Sequence, residues 1–184
     1  MSGEYSFYIE KLPEGSRIEK LSNELKSFTI YDIDNLHAFL LNLFKKCHKF
    51  VLENIEPIFS PQIELQLIYR TELYQKIEKQ KEKNAIVKEQ AKRKARSFYI
   101  GNSSKGQIFV NADEHLSLLK HGYPTVILNF VITYIHELLH CFYLNLRTEQ
   151  EIFDNECTLV EKYLGIQLPK YRNKMKAKDY YTKT

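Results

Sequence analysis

Residues 126–142 read VILNFVITYIHELLHCF, a run apolar on nearly every face until His136, Glu137 and His140 interrupt it. A segment that is greasy all round belongs inside a protein, and Pro124 just ahead of it suits the first turn of a helix. The run therefore predicts a buried helix over roughly Thr125 to Asn145. Ionisable groups in such a helix are expensive unless something partners them. At about 100° per residue, His136 and His140 lie about 40° apart on one face, where two imidazoles can grip one ion. Glu137 is turned about 100° from His136, off that axis and suited to take a proton from a water. This is the HExxH pattern of zinc sites, and catalytic zinc keeps one position open beyond three protein ligands.

The next segment supplies a third donor. Thr148 followed by Glu151 is a capping box that opens another helix, and Gly165 is its natural terminator. Relative to Glu156, Ile152, Phe153, Leu159, Val160 and Tyr163 all fall within about 60°, while Asp154 and Glu161 fall at about 160° and 140°. Glu156 is thus a carboxylate in the middle of an apolar stripe, which makes it the best third ligand. Glu149 shares the face at about 20° and is the alternative, although an acid in a first helical turn is also favoured by the helix dipole.

Outward from these helices, Asp34 precedes a run with apolar residues at Leu36, Phe39, Leu40, Leu43, Phe44, Cys47, Phe50 and Val51, a helix ending before Pro57. His37 and His48 read as ordinary residues of that helix. QIELQLIY alternates like a strand, the charged stretch 71–96 reads as a long exposed helix, and SFYI, GNSSKG and QIFVN read as a hairpin. Asp113 is expected to cap a short helix over EHLSLL. The order of elements argues for an α+β fold with a small mixed sheet. No linker marks a boundary, so residues 1–60 are taken as a mainly helical segment and 61–184 as the domain carrying the motif, with a basic C-terminal tail.

The 184 residues are 43% hydrophobic and 27% charged, a globular balance. The longest apolar patch, Val126 to Ile135, falls short of the ~20 residues of a membrane span, so no membrane partner is expected. MSGEYSFYIEKLPEG lacks a basic start followed by an apolar run, which points to a cytoplasmic protein. Cys47, Cys141 and Cys157 match no finger spacing and read as reduced thiols, with a Cys141–Cys157 pairing as the alternative. The net charge of +4 hides an asymmetry: residues 71–96 and 170–184 carry +5 each, leaving −6 elsewhere. Solvated helix faces and a tail account for this, and an acidic partner or nucleic acid is the competing use. Tyr74 is the lone aromatic residue of 71–96, unlike a single-strand binder.

His136-Glu137-Leu138-Leu139-His140, followed on a separate helix by Asn155-Glu156, resembles the zincin metallopeptidases and, within them, the gluzincins, whose third ligand is a glutamate. The chain looks most like the compact archaeal minigluzincins, over roughly residues 97–164. The resemblance implies one Zn2+ held by His136, His140 and Glu156, with Glu137 as general base of an endopeptidase acting on a peptide or protein substrate. Tyr143, Tyr163, Tyr171 and His121 are candidate oxyanion donors, and Phe109–Asn111 is the expected edge for an extended substrate. Val160 stands where many gluzincins carry an acid that orients a histidine. Tyr143 and Leu146 occupy the glycine and third-histidine positions of the metzincin extension, which removes that subfamily. A silent or latent zincin-like domain acting as a binding module is the alternative function.

Overall fold

The computed structural model describes residues 9, 12–28, 33–69 and 97–168. The expected helix over 71–96, the tail 170–184 and Tyr171 lie outside the described residues. The elements are α1 (Arg17–Lys26), α2 (Ile33–Asn54), β1 (Gln62–Ile68), β2 (Ser97–Gly101), β3 (Lys105–Asn111), α3 (Ala112–Leu116), α4 (Tyr123–Tyr143) and α5 (Glu149–Leu164). Helices around a small mixed sheet make this an α+β arrangement.

Burial drives the layout. α4 is covered by α1, α2, α5, β2 and β3, and Val126, Ile127, Phe130, Val131, Tyr134, Ile135, Leu138 and Leu139 have no exposed surface. By length and composition Tyr123–Leu146 is apolar enough to cross a membrane, contrary to the estimate from Val126–Ile135, yet 89% of its apolar window is buried inside the fold. The surface a lipid would cover is already covered by protein. α1, which the sequence reading left undivided within residues 1–60, is capped by Ser16 accepting from the Glu19 amide and buries Ile18, Leu21 and Leu25. These residues share one core cluster with α2, α4 and α5.

In the sheet β3 is central, with β1 parallel on one side and β2 antiparallel on the other. Phe109 therefore lies between Gln66 and Phe98, and Val110 between Leu67 and Ser97. This corrects the expected substrate edge: a strand paired on both sides has no free backbone groups at Phe109 and Val110 to offer. Among the described residues the open edges belong to β1 and β2, and β2 is the one lying against α4. Gly106 permits that approach, since a Cβ there would stand 3.0 Å from Tyr99 and 3.3 Å from Cys141 Sγ on α4.

The caps explain two smaller shifts. Asn111, still extended at ψ 95°, caps α3 by accepting from the Glu114 amide, so Asp113 falls inside the first turn instead of capping it. α4 ends at Tyr143, two residues early, because Leu144 adopts φ 49° and ψ −129°. Among the described residues it is the one non-glycine residue with positive φ. Such backbone costs about 1–3 kcal/mol, and glycine adopts it freely. Leu144→Gly is therefore expected to raise stability to urea by about 1 kcal/mol; a loss of stability would show that the Leu144 side chain outweighs the strain. α5 begins at the Thr148–Glu151 capping box and ends at Gly165 with φ 71°, as the sequence predicts.

Candidate metal centre

α4 carries His136 and His140 on the side facing α5, and α5 presents Glu156 to them. Ile152, Phe153, Leu159, Val160 and Tyr163 are buried around Glu156, which has no exposed surface. Its Oε2 lies 3.1 Å from His136 Nδ1. His136 Nε2 lies 3.1 Å from His140 Nε2, so one of the two nitrogens carries a proton that both share. Glu149 Oε2 stands 3.9 Å from His140 Nε2, with its side chain half exposed. Sequence pattern, helix packing and the pair geometry thus bring all four residues together.

The donors do not converge as they stand. Glu156 sits at the Nδ1 edge of the His136 ring and His140 at its Nε2 edge, and among the described residues no three His, Cys, Asp or Glu side chains surround one point closely enough to hold an ion. The chemistry of the set still fits a metal. Two imidazole nitrogens on one tetrahedral ion at about 2 Å each stand about 3.3 Å apart, close to the observed 3.1 Å. An ion would replace the shared proton with little opening of the pair. Val160, the departure in the resemblance, is fully buried in the core, and the His136 nitrogen that an extra acid could hold faces Glu156 itself.

Electrostatics divide the two histidines. Burial lowers His136, but the hydrogen bond to Glu156 and the fields of Glu156, Glu137 and Glu149 outweigh it and raise it above 6.5. Burial and the neighbouring His136 push His140 down to about 4. Glu137 is 4% exposed. Burial raises its carboxyl, against His136 and a hydrogen bond from Ser97, a balance that keeps a base closer to neutral pH.

The other candidates separate. Tyr143 ends α4 beneath the Arg147 guanidinium, 5.2 Å from its ring centroid. Tyr163 packs on Phe50, with ring centroids 5.0 Å apart, and lies 4.4 Å under Arg17, on the α1–α2 side of α5. His121 is exposed ahead of α4, which rises about 20 Å between Tyr123 and His136. Neither Tyr163 nor His121 is brought to the histidine pair. None of the three cysteines is in a disulfide, so Cys141 and Cys157 do not pair. Sequence reasoning missed Ser97, whose Oγ donates to Glu137 Oε1 at 2.6 Å. Its one signal was the inward parity of β2.

Comparison with family models, with curated proteins and with solved structures finds no match to this chain.

Proposed function

We propose that the protein is a zinc-dependent metallopeptidase of gluzincin type, with His136, His140 and Glu156 as ligands and Glu137 as general base. The observation that carries this reading is a carboxylate with no exposed surface, Glu156, placed against a histidine pair on the most apolar of the described helices. Such a cluster is costly to bury without a function for its charge. Zinc, when bound, supplies a water of lowered pKa, about 7, and polarises the scissile carbonyl.

The chain's own residues do the rest. Glu137 takes the proton from the attacking water and passes it to the leaving amine, a role favoured by its raised carboxyl. Glu156 accepts from His136 Nδ1 or moves to the ion, and in both positions its charge offsets that of the metal. The edge of β2 beside α4, open among the described residues, suits an extended peptide, whose backbone would add to the sheet. The test is zinc content together with hydrolysis of an unstructured protein by the full chain, before and after chelation. Chelated protein that keeps its activity would remove zinc from the reading.

Proton competition sets the pH dependence of metal binding. His136 is raised above 6.5 and His140 lowered to about 4, so between those values the pair holds one proton, which an ion must displace. Zinc affinity is therefore expected to rise about tenfold per pH unit from about pH 5 through 6.5, and to flatten only once the pH passes the raised value of His136. Competition with a chromophoric chelator, corrected for the chelator's own protonation, measures the slope. A flat profile or a slope of two would contradict the one-proton pair.

A further inference from the structure

Glu137 is held at one point. Ser97 Oγ donates to its Oε1 at 2.6 Å, and among the described residues Oε2 has no protein partner, although it is not sealed away from solvent. We propose that Ser97 is the positioning residue of the general base: it ties down one carboxylate oxygen and leaves the other aimed and free to take a proton. The proposal rests on the reading of Glu137 as base.

The fold fixes Ser97 for this task from two directions. Its backbone is the first residue of β2, paired opposite Val110. Alternation along β2 places Ser97, Tyr99 and Gly101 on one face, and that face lies against α4. Two residues along the strand advance about 6.6 Å, and one turn along α4, from Glu137 to Cys141, advances about 6 Å. The rises match, so two rungs form: Ser97 against Glu137, and Tyr99 against Cys141 across the bare Cα of Gly106. Both rungs hold β2 at the same position along the helix. Because β2 also carries, among the described residues, the open edge nearest α4, the strand proposed to receive substrate is the strand that aims the base.

A hydroxyl that only stabilised the fold would change the melting temperature and leave turnover by the folded enzyme alone. A positioning hydroxyl changes kcat, because a misplaced proton acceptor loses orientation in the transition state without loosening the substrate. In zinc-loaded full chain acting on an unstructured protein, Ser97→Ala is expected to lower kcat roughly 10- to 100-fold with KM within about twofold and zinc content unchanged. Ser97→Thr keeps a hydroxyl at the same position and is expected to recover most of the loss. Independently of activity, the side-chain 13C resonance of Glu137 in the metal-free chain, assigned by its loss in Glu137→Gln, should move in Ser97→Ala and return in Ser97→Thr. An active, zinc-loaded wild type whose Ser97→Ala variant keeps its kcat overturns the proposal alone. A wild type that neither binds zinc nor hydrolyses takes down the peptidase reading and this proposal with it.

Discussion

Replacing Glu137 by glutamine is expected to cut kcat by roughly 10³-fold or more while the protein still binds one zinc. The expectation follows from what the substitution spares. Glutamine has the same shape, its carbonyl oxygen can still accept from Ser97 Oγ, and it lies off the axis of His136 and His140, so the metal site and the α4–β2 contact persist. What is lost is the buried carboxylate that is not taken up by a histidine, able to accept a proton from water and release it to an amine. Burial already raises the Glu137 carboxyl, so removing its charge is not expected to destabilise the protein. Hydrolysis at the wild-type rate would end the assignment of Glu137. An equal loss of zinc and activity would mean that the residue holds metal instead of moving protons.

The second large effect concerns the third ligand. Glu156→Gln is expected to weaken zinc binding by more than about 100-fold, and Glu149→Gln by less than about tenfold. A carboxylate that only orients a ligating histidine from behind is typically worth 10- to 100-fold in affinity, so a larger loss marks direct coordination. The comparison is needed because the metal-free geometry offers two arrangements. Glu156, fully buried, faces His136 Nδ1, whereas Glu149, half exposed, stands 3.9 Å from the His140 nitrogen that meets His136. If the order of the two losses is reversed, Glu149 takes the third position and Glu156 becomes the acceptor behind His136. Isothermal titration at one pH, with both variants' melting temperatures as a folding control, separates the cases.

The candidate site was legible where charge contradicted hydrophobic pattern. His136, Glu137 and His140 stood out on α4 because a buried helix has no cheap place for them, and Glu156 stood out on α5 for the same reason. Period and packing then agree, since the stripe of Ile152, Phe153, Leu159, Val160 and Tyr163 is buried around it. Helix ends with a side-chain mechanism, Thr148–Glu151 and Gly165, were legible too. Strand order was not. Nothing in QIFVN tells whether β1 pairs on its far side, because the parallel pairing of strands as far apart in sequence as β1 and β3 is a tertiary choice without a local signature, and so the central strand was taken for an edge. Ser97 was missed for a related reason: a serine at a strand start is ordinary until the sheet places it beside Glu137. Tyr163 misled in the opposite way. It shares the Glu156 face of α5, but two helical turns carry it to Arg17 and Phe50 instead of to the histidines.

The most direct measurement is the metal content of the wild-type chain purified without chelator, paired with its melting temperature before and after zinc is removed. One zinc per chain is expected, with a melting temperature that falls on chelation and returns when zinc is restored, because a ligand bound only by the folded state stabilises it. Protein that carries no stoichiometric zinc, takes none up, and melts at the same temperature in its presence would contradict the account at its centre.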